Sequence, residues 1–200
     1  MDLLLATRNA HKTREIQQVL GPAFTVSDLS AHPEIADIRE TGKSYEENAM
    51  LKAVGASRHL QGLIVADDSG LEVDALGGAP GIFSARYACE NATDKQNINK
   101  LLAELARTTA QETKRSARFR CVIALARQGK PLGIFEGIVE GGIVERPRGL
   151  NGFGYDPIFV PCGFEETFAQ LPPEVKNTIS HRGKAIRGLA AELAALKLDD

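Results

Sequence analysis

The chain has 200 residues, 43% of them apolar and 25% charged, which are globular proportions and exclude a disordered, collagenous or low-complexity chain. That length buries a core without disulfide or metal staples and suits one domain, or one domain with two lobes. Twenty-four basic against twenty-six acidic side chains give a net charge of −2, so a general electrostatic grip on nucleic acid or an anionic membrane is not expected, although a local basic pocket is allowed.

Residues 3–6 (LLLA) form a short apolar run that suits a buried strand. A polar segment, Thr7 to Lys12, follows, and then Ile16, Val19 and Leu20 recur at helical spacing until Gly21-Pro22 stops the pattern. Phe24–Val26 is a candidate second strand, and residues 29–43 read as loop. Ser44 followed by Glu47 is a capping box that predicts a helix to about Leu60. Leu63–Ala66 is another buried-strand candidate, expected to end at Asp67-Asp68-Ser69-Gly70, with strand resuming over Leu71–Val73. Gly77 to Gly81 is a turn cluster. Thr93 with Gln96 is a second capping box, and Ile98, Leu101, Leu102 and Leu105 form the apolar stripe of the helix it starts. Residues 117–126 alternate, with Phe119, Cys121, Ile123 and Leu125 on one face and Arg118 and Arg120 on the other. Gln128-Gly129-Lys130 is a tight turn and 132–139 is apolar again, which predicts an antiparallel hairpin. Residues 146–157 are rich in Gly, Pro and Asn, Ile158–Val160 reads as a short strand, and a last helix spans about 182–197 with Ile186, Leu189, Leu193 and Leu196 on one side. Helices alternating with strands early and a hairpin late predict a mixed sheet with helices packed on it.

The three cysteines, Cys89, Cys121 and Cys162, are far apart and form no CxxC pair, which argues against a disulfide framework or zinc knot and fits a reducing cytosol. The first residues, MDLLLATRNAHK, carry no basic n-region, and no apolar stretch approaches about 18 residues. Neither a signal peptide nor a membrane span is expected, and the expected location is cytoplasmic.

Four polar clusters are placed by this pattern at strand or helix ends, where functional groups are usually mounted. In Thr7-x-Asn9-x-x-Lys12 a strand feeds a helix whose free N–H groups make a ready anion site. Lys12 opposes the helix dipole there and wants an anion; the plainer alternative is an ordinary N-cap with an exposed lysine. No GxxxxGK[ST] P-loop is present. Asp67-Asp68-Ser69-Gly70 offers adjacent carboxylates that can hold a hard cation such as Mg²⁺ or supply a base, or else is a simple turn. The Asp-Ser-Gly of aspartic proteases follows an apolar pair, which Asp67 interrupts here, and the phosphatase DxD pattern is missing. Glu40 and the helix from Ser44 form the third cluster: Lys52 lies two turns in and, if that face meets the first loop, could share a polyphosphate with Lys12, or be a solvated charge. The fourth is Gly152-Phe153-Gly154-Tyr155-Asp156-Pro157 with Lys176 and Ser180-His181-Arg182-Gly183 downstream. Glycines beside aromatics let a flat ring lie against a Phe face while Lys, His and Arg donate to it. Together these are the parts of a nucleoside triphosphate site.

The blocks LLLATRNAHKTREI, ETGKSYEENAMLKA, ADDSGLEVDALGGAPGIFSARYA, ARFRCVIAL, GFGYDPIF and EVKNTISHRGKA, in this order and over nearly the full length, resemble those of the inosine/xanthosine triphosphate pyrophosphatases. Cys89, often Gly in that family, and the Leu171-Pro172-Pro173 stretch are small departures. The resemblance implies that a purine triphosphate (ITP, dITP or XTP) plus water gives the monophosphate and pyrophosphate, cleansing the nucleotide pool. It implies that Thr7, Arg8, Asn9, Ala10, His11 and Lys12 bind the triphosphate, that Lys52 joins Lys12 in neutralising it, and that Ser69 contacts substrate. Glu40 and Asp68 would place Mg²⁺, Asp68 would also be the candidate base, and Asp67 a further ligand or orienter. Phe153 would stack on the purine, Gly154, Tyr155 and Asp156 would shape the pocket, and Lys176, His181 and Arg182 would address the base. The implied fold is α/β (mixed α+β): a long mixed β-sheet flanked by helices, in two lobes with the active-site cleft between them, 1–200 forming a single domain. The implied assembly is a homodimer, with no nucleic-acid or membrane partner. The alternatives are a pyrophosphatase acting on modified pyrimidine triphosphates and a sensor that binds nucleotide without hydrolysis.

Overall fold

The computed structural model describes residues 1–36, 38–108 and 115–196, with the side chain of Leu196 left out. Residue 197 of the expected last helix therefore lies outside the described residues. The elements, in chain order, are β1 (Asp2–Leu5), α1 (Ala10–Leu20), β2 (Thr25–Asp28), α2 (Tyr45–Ser57), β3 (Leu63–Val73), α3 (Asp94–Arg107), β4 (Ser116–Arg127), β5 (Lys130–Ile143), β6 (Phe159–Pro161), α4 (Pro173–Ile179) and α5 (His181–Leu196). The strands form one six-stranded mixed sheet in the order β2-β1-β3-β4-β5-β6. β1 is parallel to both β2 and β3, and β5 is antiparallel to β6. The expected mixed sheet with helices is present. β4 and β5 are joined by Gln128 (φ 51°) and Gly129 (φ 75°), the two positive dihedrals that a tight two-residue hairpin turn requires.

The chain divides into two compact units, one of Met1–Asp68, Cys121–Gly137 and the segment from His181 on, the other of Ser69–Arg120 and Ile138–Ser180. The core of the first gathers Leu3 and Leu5 of β1, Ile16 and Leu20 of α1, Val65 of β3, Ile123 and Leu125 of β4, and Ile186, Leu189 and Leu193 of α5. The core of the second gathers Leu71, Leu101, Ile158 and three phenylalanines. Phe119 meets Phe159 edge-on at 4.7 Å between centroids, and Phe168 lies 5.2 Å from Phe159.

Several boundaries differ from the sequence expectation. α2 stops at Ser57 rather than Leu60. β6 begins at Phe159, because Ile158 belongs to a 3₁₀ turn. Arg118 and Arg120 leave the buried side of β4 as expected, but Val122, Ala124 and Ala126 are buried as well, so the far half of that strand is covered on both faces. α4 has no counterpart in the expectation. The largest correction concerns β3, which runs unbroken through Asp67-Asp68-Ser69-Gly70. That tetrapeptide is strand, not a turn.

Candidate active site

The pleat of β3 decides what its two adjacent carboxylates do, because successive side chains of a strand point to opposite faces. Leu5 of β1 pairs with Val65, so Asp67 and Asp68 lie just beyond the carboxyl end of β1, the end at which open α/β sheets carry their ligands. Asp67 shares the face of Val65, which packs in the core with α1 and α5; Asp68 faces the other way. The two are buried to 2% and 5% relative exposure.

On the Asp68 face stands α2. Ser44 caps it by accepting from Glu47 N–H, and Glu46 and Glu47 favour its N-terminus. Asn48 and Lys52, one turn apart, project from one side of the helix. The Asn48 amide donates to Asp68 Oδ2 at 3.1 Å and accepts from Gly42 N–H at 2.8 Å. A side chain on Gly42 would place its Cβ 2.7 Å from the Asn48 oxygen, so a glycine keeps that amide in place. Lys52 Nζ donates to Glu40 Oε1 at 2.7 Å, to the Asp67 carbonyl at 2.6 Å and to Asp68 Oδ1 at 3.4 Å. Burial disfavours its charge, but Asp67, Asp68 and Glu40 together outweigh burial and raise its pKa, so it is an ammonium. Burial pushes the Asp68 carboxyl up, and nearby Glu40 adds to that against Lys52, Lys12 and Asn48. A buried carboxylate with a raised pKa is what a base working near neutral pH needs.

On the Asp67 face stand α1 and α5. Lys12 Nζ lies 3.0 Å from Asp67 Oδ1, and the Arg182 guanidinium lies 3.4 Å from Asp67 Oδ2 while pairing with Glu15 of α1. Burial alone would raise the Asp67 carboxyl, but Lys12, Arg182 and Lys52 hold it well below the usual carboxylate range. Lys12 is therefore not the exposed lysine of the plainer alternative, although the N-cap is real: Asn9 Oδ1 accepts from His11 N–H at 3.0 Å and Lys12 N–H at 3.4 Å. Thr7 Oγ1 accepts from Asn9 N–H at 3.2 Å, which fixes the turn out of β1. Arg8 reaches elsewhere and donates to the Ile35 carbonyl at 2.7 Å. Ala10 and His11 are exposed in the first turn of α1, which holds no acidic residue. His181 and Arg182 open α5, both buried. Gly137 of β5 lets that turn come close, since a Cβ there would sit 2.0 Å from the His181 carbonyl.

The second unit holds the aromatic cluster. Asp156, 3% exposed, accepts from Phe153 N–H at 2.9 Å and from Lys176 Nζ at 2.7 Å. Lys176 comes from α4 and lies 5.2 Å from the centre of the Phe153 ring and 5.8 Å from that of Phe168, within cation–π range. Tyr155 donates to the Ser84 carbonyl at 2.9 Å, and Gly154 N–H donates to Asp94 at 2.7 Å. Gly152 has φ +74°, and a Cβ there would come within 2.0 Å of Asp156 Oδ2. Ser69, half-buried, follows Asp68 along β3. The structure thus brings Lys12, Lys52, Glu40 and Asp68 together in the first unit with Arg182, and Phe153, Tyr155, Asp156 and Lys176 together in the second. Asn48 and Glu15 have no counterpart in the sequence expectation; the signal for Asn48 is its place one helical turn before Lys52.

Glu40 and Asp68 both meet Lys52 Nζ, and Glu40 raises the cost of ionising Asp68; two neighbouring carboxylates are the oxygen donors that suit a hard divalent cation. Among the described residues no group of three or more His, Cys, Asp or Glu side chains converges as a metal cage. Mg²⁺ in particular is commonly held by one or two carboxylates and completed by substrate oxygens and water. No described helix is long and apolar enough to cross a membrane.

A family model described as the Ham1 family matches residues 3–192. The chain is 47% identical, over 188 residues covering 94% of each chain, to a dITP/XTP pyrophosphatase of Shouchella clausii. Among solved structures it is similar to a HAM1 protein from Coxiella burnetii (42% identity, TM-score 0.86, covering 98% of this chain and 99% of that one). It is also similar to the Ham1 protein of Staphylococcus aureus (44% identity, TM-score 0.84, the same coverage).

Proposed function

The chain belongs to the Ham1 family, and from that premise we propose that it hydrolyses the non-canonical purine triphosphates ITP, dITP and XTP to monophosphate and pyrophosphate. The observation that carries the proposal is the charge cluster at the end of β1: Lys12 on Asp67, and Lys52 on Glu40 and Asp68. Hydrolysis at a phosphoanhydride is mainly a matter of positioning and charge stabilisation. Lys12 and Lys52 neutralise the triphosphate, with Thr7, Arg8, Asn9, Ala10 and His11 forming its loop. Glu40 and Asp68 are the residues that would hold Mg²⁺, which when bound supplies further positive charge to the phosphate oxygens. Asp68 takes the proton of the attacking water; its two oxygens meet different neighbours, Lys52 and Asn48. Ser69 contacts substrate beside it.

Phe153 stacks on the purine, and Lys176, positioned by its ion pair with Asp156, donates to the 6-oxygen, assisted by His181 and Arg182. Adenine presents an amino group instead, and an unmatched buried donor costs about 1–3 kcal/mol. Guanine is rejected by its 2-amino group. We further propose that residues 1–200 act as a single pyrophosphatase domain, in the cytoplasm, as a homodimer, on the strength of the family resemblance. The test is pyrophosphate release from ITP, XTP, dITP, ATP, GTP, dTTP and dUTP with and without Mg²⁺. Mg²⁺-dependent release favouring the first three is expected. Preference for a pyrimidine would overturn the base assignment, and no release at all would favour a nucleotide sensor.

A further inference from the structure

The loop from Gly152 to Asp156 carries the proposed stacking ring, and a stacking ring selects only if it is held still, because unrestrained rotamers must be ordered again on each binding event. Within this loop Asp156 accepts from Phe153 N–H, and Lys176 of α4 holds the same carboxylate. Other contacts come from parts of the chain distant in sequence: the Tyr155 hydroxyl reaches the Ser84 carbonyl, and α3 supplies one that has no signal in the sequence. Asp94, the first residue of α3, turns a carboxylate oxygen onto Gly154 N–H at 2.7 Å. Gly154 sits at φ +61° with open space where a Cβ would be. Glycine is thus demanded by the backbone that aims this N–H at Asp94, not by crowding. Asp94 is exposed, and Thr93 and Gln96 cap α3 by themselves through a complete capping box, so the helix does not depend on the Asp94 contact.

We propose that Asp94 is a positioning residue for purine selectivity: by accepting from Gly154 N–H it fixes the Phe153 loop from α3. This deepens the base-pocket reading above and rests on it. The chain contains no tryptophan, so Phe153→Trp supplies a single fluorescent reporter on the loop itself. In that background Asp94→Ala is expected to lower the tryptophan anisotropy, and Asp94→Asn, whose amide oxygen can still accept, to leave it near the parent value. In the unlabelled protein Asp94→Ala is expected to raise KM for ITP about fivefold, with kcat within about twofold, and to lower the ITP-to-ATP ratio of kcat/KM by a similar factor. Asp94→Asn should restore most of it. The melting temperature should move by no more than about 3 °C, as for an exposed position. Unchanged anisotropy in Asp94→Ala, or equal loss in the Ala and Asn variants, would overturn the proposal. Anisotropy that falls as expected in a protein whose wild type does not favour ITP over ATP would instead place the failure in the base-pocket reading, with Asp94 still fixing the loop.

Discussion

Asp67 and Asp68 are chemically identical neighbours with opposite electrostatic fates, and the pleat is the cause. Asp67 faces Lys12 and Arg182, which hold its carboxyl low against burial; Asp68 faces Glu40 as well as Lys52, and burial keeps its carboxyl high. The ionised form of Asp67 is therefore stabilised by the fold and that of Asp68 is not. Asp67→Asn should cost about 2–4 kcal/mol at pH 7, because it leaves buried cations short of a partner. Asp68→Asn should leave thermal stability unchanged or slightly raised while reducing kcat by about a thousandfold, through loss of base and metal charge together. Denaturant melts and steady-state rates on both variants separate the two roles, and a stability loss in Asp68→Asn matching that in Asp67→Asn would refute the contrast. The pH dependence follows from the direction of the Asp67 shift. Its folded carboxyl titrates below its ordinary value near 3.8, so the unfolded chain binds the proton first as pH falls. The stability it contributes is whole above that value and is lost as pH falls toward the folded one. The gap between wild type and Asp67→Asn should shrink when melts are repeated below about pH 4. Arg182, 3% exposed with Glu15 and Asp67 on it, belongs with Asp67 in this respect: Arg182→Ala takes a buried cation away from two carboxylates, with Lys12 still on Asp67, and should harm folding as well as base preference.

At the scale of elements, the tight Phe153 loop yields the clearest prediction. Gly152→Ala adds a Cβ at positive φ that would fall 2.0 Å from Asp156 Oδ2, the oxygen that also holds Phe153 N–H and Lys176. Loop and lysine must both shift, so kcat/KM for ITP should fall at least about tenfold, with a smaller effect on ATP. A uniform loss for both nucleotides would move base choice away from this loop. The same elements show what the sequence made legible. The opening strand-loop-helix, the Ser44 and Thr93 caps and the β4–β5 hairpin rest on local signals, such as periodicity, capping and turn residues, and these survive in the structure. The break expected in β3 comes from Asp, Ser and Gly, which are rare in strands and common in turns. Only the charges brought by α1, α2 and α5 make two buried carboxylates tolerable in a strand, and those are tertiary. α4 was missed because its seven residues are too few to show a helical period, although Pro173 at its first turn was a usable start signal. Lys12, Lys52 and Glu40 stand out as polar clusters at element ends; that Lys12 meets Asp67 and Lys52 meets Asp68 depends on strand register, which no local pattern carries.

For the whole molecule, the division of labour between the two compact units is open to direct measurement. The candidate phosphate ligands Lys12 and Lys52, with Glu40 and Asp68, all belong to the first unit; Phe153, Asp156 and Lys176 all belong to the second. A ligand that carries only phosphates should therefore engage one set, and a ligand that carries a purine as well should engage both. Inorganic tripolyphosphate with Mg²⁺ is expected to slow amide exchange in the first turn of α1 and around Glu40 to Lys52, and to leave 152–156 as in the free protein. The α,β-imido analogue of ITP should slow both sets. Saturation at about a hundred times Kd adds about 2.7 kcal/mol to the stability of whatever the ligand holds, enough to read as clear protection in each stretch. Protection of 152–156 by tripolyphosphate would mean that the phosphates, not the base, meet the aromatic cluster. Protection confined to the first unit with the analogue would mean that Phe153 and Lys176 do not read the purine. Either result would redraw the site while leaving the charge cluster around β3 where it is, because that cluster is set by the pleat of the strand and by the helices packed on its two faces.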